Sequence, residues 1–208
     1  MFAPGAGRIL GQVGLILLLI AGLVVLGVIP NRDAAYAALL LAGVVWIFFA
    51  QFFRDPERTP GPGVVSCADG RVRAVDREGD RWRISVFMNV TDVHVNRFPV
   101  DARVESIGSA GAGYRAAYRA DADHNVQRSY HLVSALGPVE VIQMTGVLAR
   151  RLVSFVRPGS EGRKGERFGM IILGSRVDVL LPVAAATPTV KVGDRVRAGE
   201  TSIAREGT

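Results

Sequence analysis

The chain has 208 residues, a net charge of +6 and one cysteine, Cys67, which excludes an intrachain disulfide. A basic balance is common in nucleic-acid-binding domains, but the sequence contains no basic run, aromatic stacking pattern or zinc-ligand spacing. We therefore expect no nucleic-acid partner. The length allows one soluble domain joined to a membrane segment.

Two uncharged apolar runs open the chain, at residues 9–29 and 34–53, and residues 30–33 form a polar break between them. Each run is about 20 residues long, which is the length that a helix needs to cross a bilayer. A cleaved signal peptide is the alternative for the first run, but the run is too long and a second one follows at once. The sequence therefore predicts a transmembrane hairpin over residues 1–53.

Basic residues flank the hairpin unevenly. Arg8 precedes the first run, Arg54 and Arg58 follow the second, and the connecting turn carries Arg32 beside Asp33. Because positive residues favour the cytoplasmic side, we expect both ends to face the cytoplasm at the cell membrane.

Residues 54–63 are rich in proline and glycine and predict a linker, after which the pattern changes to short alternating strands. Two hairpins are expected, one turning at residues 78–80 and the other at Gly137 and Pro138. A short helix is expected at residues 145–152. The predicted strands cover residues 71–76, 82–88, 130–136, 139–144, 153–156, 167–172 and 177–181.

Two glycine-containing turns, at residues 157–166 and 192–200, are alike in sequence. Such paired elements resemble the barrel-sandwich fold of lipoyl and biotinyl carrier domains. We therefore expect residues 64–208 to form a mainly β domain of barrel-sandwich, lipoyl-like character with short helices. A carrier would need a modifiable lysine at a hairpin tip, and Lys164 and Lys191 lack the usual local context.

The step from Gly174 to Ser175 lies between two apolar runs, where glycine leaves the backbone free to bend and a hydroxyl can reach the preceding carbonyl. Alone, such a pair indicates only a turn. Four segments, which occur in a fixed order along the chain, support a functional interpretation of this pair. They are residues 66–72 (SCADGRV), 87–99 (FMNVTDVHVNRFP), 143–151 (QMTGVLARR) and 165–179 (GERFGMIILGSRVDV).

Together these segments resemble the phosphatidylserine decarboxylases, in particular their short single-domain type. The resemblance implies a proenzyme that cleaves itself between Gly174 and Ser175 and converts Ser175 into a pyruvoyl group, with no metal. That group would form a Schiff base with the amine of a phospholipid substrate. The resemblance implies that this lipid is one partner and that the fragments 1–174 and 175–208 bind each other. An oligomer is compatible with the sequence.

The resemblance also implies roles for other residues. His94 and Asp69 are the candidates for assisting the Ser175 hydroxyl, with His94 returning a proton after decarboxylation. Arg97 and Arg176 are the candidates for holding the lipid phosphate or the serine carboxylate.

Three positions depart from the family pattern. Cys67 replaces a usual proline, and residues 125–128 lack the usual glutamate. Arg97 stands where many longer relatives have a second histidine, so a cleavage triad that relies on that histidine is not carried over. We expect Cys67 to be a small buried residue.

Two other functions remain open at this stage. The same chemistry would serve an ether-linked phosphoserine lipid of archaeal type. A membrane-tethered β-sandwich that binds a partner and catalyses nothing is a different class, and it predicts an intact chain.

Overall fold

The computed structural model describes residues 1–28, 31–113, 124–146, 151–172 and 175–207, with Ser175 described by its backbone alone. These residues divide into two compact units, Met1–Glu57 and Arg58–Thr208. The division falls within the predicted linker.

The first unit is a pair of helices, α1 (Ala6–Val25) and α2 (Arg32–Phe52). The Ala3 amide donates to Phe53 O at 2.8 Å, which ties the start of α1 to the end of α2 and makes the pair antiparallel. Both helices are apolar and long enough to cross a membrane, with mean hydropathies of 2.3 and 2.0. They indicate membrane association.

The start of α2 differs from the sequence expectation, because Arg32 and Asp33 lie in its first turn and not in the connecting turn. The Asn31 side chain accepts from the Ala34 amide at 3.1 Å and so caps the helix. Asp33 is also favourable there, since a carboxylate stabilises the positive end of the helix dipole.

The second unit is built of strands, and every pairing between them is antiparallel. The prediction of a mainly β domain preceded by two apolar helices is therefore confirmed. The strands are β1 (Val64–Val65), β2 (Gly70–Glu78), β3 (Arg81–Met88), β4 (Val95–Arg97), β5 (Ala102–Ala110), β6 (Gln127–Ser134), β7 (Gly137–Thr145), β8 (Arg151–Ser154), β9 (Glu161–Gly162), β10 (Arg167–Ile172), β11 (Ser175–Pro182), β12 (Ala186–Pro188), β13 (Arg195–Val196) and β14 (Ser202–Glu206).

Three sheets result from these pairings. The largest has the order β13-β2-β3-β11-β7-β6-β5-β9, and two three-stranded sheets have the orders β4-β10-β8 and β1-β14-β12. β11 is central in the large sheet because it pairs with β3 on one side and β7 on the other. Its alternate residues Val177, Val179 and Leu181 are buried in the core, as the two-residue period of a strand requires.

The predicted β2–β3 hairpin is confirmed, and Gly79 at its turn has a positive φ of 63°. The second hairpin forms too, but Gly137 and Pro138 open β7 instead of making the turn. The predicted helix at residues 145–152 is wrong where the structure describes it. Thr145 ends β7, and Arg151 and Leu152 belong to β8, because pairing with β10 overrides local helix preference; residues 147–150 lie outside the described residues.

Candidate active site

Ser175 is the first residue of β11, where its backbone lies between Met88 of β3 and Thr145 of β7. The preceding strand, β10, ends at Ile172, and Gly174 lies outside the described residues. The predicted cleavage bond therefore lies in the chain between the end of β10 and the start of the central strand of the large sheet.

His94 is fully buried immediately before β4. Its carbonyl oxygen accepts from the Ile171 amide at 3.2 Å, which extends the pairing of β4 with β10 by one bond. Ile171 is at the end of β10 that leads into the 174/175 bond. The fold thus brings His94 to the strand end that precedes Ser175, although the two are far apart in the sequence.

The environment of His94 selects one tautomer of its ring. Nδ1 lies 2.9 Å from the carbonyl oxygen of Asp92. A carbonyl oxygen can only accept, so Nδ1 must carry the hydrogen. In the neutral imidazole the lone pair is then on Nε2, which is the nitrogen able to take a proton.

The loop that presents this carbonyl is held by the side chain of Asp92. One carboxylate oxygen accepts from the Asn89 amide at 2.8 Å, and the other lies 3.4 Å from Nη2 of Arg195. The Asp92 amide in turn donates to Asn89 O at 2.9 Å. The loop therefore has a defined conformation, which fixes the acceptor that orients His94.

Asp69 is buried, and its carboxylate is held by two groups. Arg58 donates to both carboxylate oxygens, at 2.5 and 2.8 Å, and the Ala198 amide donates at 2.8 Å. The Asp69 segment runs beside β4, since the Arg97 amide donates to Cys67 O at 2.9 Å. The structure thus brings Asp69 alongside the strand that follows His94, with its carboxylate directed to Arg58 and Ala198.

Arg97 ends β4 and is 2% exposed. Its Nη1 donates to Gly165 O at 2.8 Å, and its side chain packs at Gly199, where an added Cβ would lie 3.1 Å from the Arg97 Cδ. Gly165 and Gly199 belong to the two similar turns and have positive φ angles of 83° and 77°. Arg97 therefore contacts both turns.

Arg176 follows Ser175 in β11 and forms a two-pronged ion pair with Asp178. Its Nε and Nη2 each lie 2.9 Å from a carboxylate oxygen of Asp178. Arg83 of β3 also donates to Asp178, at 3.1 Å. Asp178 is fully buried between these two cations, so the guanidinium of Arg176 has a fixed orientation.

Cys67 is buried as predicted, and burial raises the pKa of its thiol well above the usual range. A thiol that stays protonated at neutral pH is a poor nucleophile. Its backbone carbonyl has a clearer role, because it accepts from Arg97 and from the Asn96 side chain.

The sequence model of one family, described as phosphatidylserine decarboxylase, matches residues 45–204. The match covers most of the chain and includes all four segments singled out above. The chain belongs to the phosphatidylserine decarboxylase family. The predicted resemblance is confirmed.

Individual family members are similar in sequence to this chain over most of their length. A phosphatidylserine decarboxylase proenzyme from Thermobifida fusca is 42% identical, over 89% of this chain and 86% of the relative. One from Streptomyces coelicolor is 40% identical, over 83% of this chain and 78% of the relative. A putative archaetidylserine decarboxylase proenzyme from Methanococcoides burtonii is 40% identical, over 86% of this chain and 85% of the relative.

Sequence reasoning missed two features of this family member's site. The sequence indicates Arg58 only as a charge flanking the membrane, whereas in the structure it forms the ion pair with Asp69. Asn96 and Gln143 lie within two of the motifs, which do not predict that these side chains are hydrogen-bonded to each other in the core. The signal for the second feature was the presence of amide side chains at core-facing positions of apolar strands.

Proposed function

We propose that the chain is a self-processing decarboxylase that removes the carboxyl group of phosphatidylserine and yields phosphatidylethanolamine. One observation carries this proposal. A fully buried His94, with Nδ1 held by a carbonyl and the lone pair on Nε2, lies at the end of β10 that leads into the Gly174–Ser175 step.

The first stage is self-cleavage. The Ser175 hydroxyl adds to the Gly174 carbonyl carbon, the C–N bond breaks, and an ester joins the two residues. His94 Nε2 takes the hydroxyl proton, since an alcohol needs a base to become an effective nucleophile. β-Elimination then releases the Gly174 carboxylate and leaves dehydroalanine at position 175. This tautomerises, takes up water and loses ammonia, which yields a pyruvoyl group at the start of fragment 175–208.

The site fits such a group, because position 175 opens a central strand and a buried imidazole lies at the adjoining strand end. The group supplies a carbonyl conjugated with an amide, which withdraws the electrons released as carbon dioxide leaves. His94 holds the proton that returns to the substrate α-carbon. Asp69 is proposed to assist these proton transfers as a negative charge in the segment alongside β4, where Arg58 and the Ala198 amide hold its carboxylate.

Arg97 and Arg176 are proposed to bind the anionic headgroup. Arg97 lies three residues after His94, and Arg176 directly follows Ser175, so each is close along the chain to one of the two reacting residues. Ion pairing of Arg176 with Asp178 fixes its guanidinium before substrate arrives. Guanidinium groups bind phosphate and carboxylate by charge-assisted hydrogen bonds.

The apolar helices are proposed to anchor the enzyme in the cell membrane, with the β unit on the cytoplasmic side. Arg8 before α1 and Arg54 after α2 support this orientation. A covalent tether keeps the β unit near the bilayer, which is where a phospholipid substrate resides.

Intact mass spectrometry of the purified full-length protein tests the proposal. We expect fragments 1–174 and 175–208, the second with a pyruvoyl group in place of its first serine. The Ser175→Ala chain should stay whole, and His94→Ala should be cleaved far more slowly. His131→Ala is the matched control, since His131 lies in β6 opposite Glu140, and it should be cleaved normally. An intact wild-type chain would favour a non-catalytic binding module instead.

A second substrate is favoured by a specific observation, since two relatives named putative archaetidylserine decarboxylase proenzymes are 40% and 42% identical to this chain. The cleaved enzyme should therefore be assayed on ester-linked and ether-linked phosphoserine lipids in otherwise identical vesicles. Release of carbon dioxide from the ester lipid alone would support phosphatidylserine as substrate. Faster release from the ether lipid would support the second candidate.

A further inference from the structure

A row of three buried polar side chains crosses the apolar core between two sheets. Tyr130 of β6 donates its hydroxyl to Gln143 Oε1 at 3.1 Å, and Gln143 Nε2 donates to Asn96 Oδ1 at 2.8 Å. Asn96 Nδ2 then approaches Cys67 O at 3.4 Å. These three side chains, which we call the amide relay, are each at most 1% exposed.

The hydrogen bonds of the amide relay can run in only one donor-to-acceptor direction. A backbone carbonyl can only accept, so the Asn96 nitrogen must face Cys67 and its oxygen must face Gln143. Gln143 then presents its nitrogen to Asn96 and its oxygen to Tyr130, which must donate. Burial raises the pKa of the Tyr130 hydroxyl, against smaller opposing effects of Ser154 and Arg128, and so keeps this donor protonated.

The position of the amide relay connects it to the two reacting residues. Asn96 lies two residues after His94 along β4 and its neighbouring segment, and Gln143 lies two residues before Thr145, which pairs with Ser175. Two residues along a strand span about 7 Å. The relay therefore joins the chain segment that carries His94 to the strand that pairs with Ser175. Asn96 is two residues from His94, and Gln143 is two residues from the partner of Ser175.

β10 passes directly against the amide relay. Gly169 of β10 pairs with Asn96, and a Cβ added there would lie 2.9 Å from Gln143 Nε2 and 3.3 Å from the Tyr130 hydroxyl. Glycine thus lets β10 pass against the relay. On the other side, the Tyr130 ring packs edge-on against Phe168, with ring centroids 4.8 Å apart.

We propose that Tyr130, Gln143 and Asn96 are positioning residues, which hold His94 in register with the Gly174–Ser175 bond through self-cleavage and decarboxylation. The apolar core alone fixes the spacing of the two sheets but allows them to slide. A directed row of hydrogen bonds fixes their register, since a shifted register leaves buried amides without partners. The proposal rests on the proposed function, because it assigns His94 the role of base.

The test compares self-cleavage rates of full-length chains that are newly synthesised in the presence of vesicles. Gln143→Met keeps the size of the side chain and removes both of its hydrogen bonds, and we expect self-cleavage to slow by about 10- to 100-fold. Tyr130→Phe removes only the end of the row and should slow it by less. Once cleaved, the Gln143→Met enzyme should have a lower kcat and an unchanged KM, because the relay does not touch the headgroup.

Val139→Ala is the control for stability, since Val139 is equally buried in β7 but lies outside the amide relay. It should lower Tm and leave the cleavage rate and kcat unchanged. Wild-type cleavage rates in Gln143→Met and Tyr130→Phe would overturn the proposal. It would also be overturned if Val139→Ala had the same Tm as Gln143→Met and were cleaved equally slowly. A wild-type chain that stays whole would overturn the proposed function, and the relay's role with it.

Discussion

At the scale of single residues, the buried ion pair between Arg58 and Asp69 is expected to stabilise the β unit. The Arg58 side chain is 5% exposed and that of Asp69 is 12% exposed. Arg58 also donates to Ala198 O at 2.8 Å, so the pair joins the start of the β unit to the turn before β14. Removing one partner of such a pair leaves a buried charge without compensation.

We expect Arg58→Ala to lower the free energy of unfolding by about 3–5 kcal/mol. The measurement is thermal or urea unfolding in detergent, in a Ser175→Ala background so that the chain remains whole. Arg197→Ala is the control, because the Arg197–Glu200 pair is on the surface with side chains 73% and 34% exposed. It should change stability by less than about 1 kcal/mol. Equal effects of the two variants would contradict a structural role for Arg58.

The family could be predicted from the sequence, but the contacts of the candidate site residues could not. The segments around Asp69 and His94 indicated the family and its chemistry. The partner of Asp69 is Arg58, in a stretch whose prolines and glycines predicted only a linker. Such contacts depend on how distant segments pack, and a motif read along the chain holds no information about that packing.

At the scale of secondary structure, β11 has the unusual property of being both the start of one expected fragment and the centre of the large sheet. It pairs with β3 over its whole length and with β7 over residues 175–180. Val177, Val179 and Leu181 are at most 1% exposed, and burying each stabilises the assembly by about 1.5–3 kcal/mol. Fragment 175–208 also supplies β12, β13 and β14, so it contributes to two sheets.

We therefore expect the two fragments to remain associated after cleavage. They should co-elute in mild detergent and separate only in SDS or concentrated guanidinium. Val179→Pro should prevent a stable assembly, because proline removes a ladder hydrogen bond from a central strand.

Val192→Pro is the matched control for this prediction. The Asp194 amide donates to Lys191 O at 3.1 Å, which makes Val192 the second residue of a turn where proline is favoured. This variant should assemble normally. Separation of the wild-type fragments in mild detergent would contradict the prediction.

Local signals located the β2–β3 hairpin and β10. For β10 the predicted and observed ranges are the same. In both cases the alternation of residues and the turn chemistry lie within a few positions of one another. The pairing of β11 with β3 and β7 was not predictable, because the partner residues are 30 to 40 positions away for β7 and 87 to 101 positions away for β3. Pairing with β10, whose partner residues are 15 to 21 positions away, explains the strand β8, where local propensity favoured a helix.

At the scale of the whole chain, an apolar helical unit and a mildly basic β unit are joined covalently. Residues 1–54 contain little charge, so most of the net charge of +6 belongs to the β unit. A basic domain is attracted to anionic lipid, but salt weakens that attraction because it screens exposed charges. Burial of two apolar helices in a bilayer does not depend on salt in this way.

Deleting residues 1–53 should therefore abolish retention on membranes at high salt. The measurement is sedimentation with vesicles containing anionic lipid, for the full chain and the truncated chain, at low and high salt. At low salt the truncated chain should retain part of its binding through the basic β unit. Self-cleavage of the truncated chain is the control for folding, since the ordered strands that flank position 175 all lie within residues 58–208. If the truncated chain still sedimented completely at high salt, the helices would not be the main anchor, and a surface of the β unit would have to supply the apolar contact.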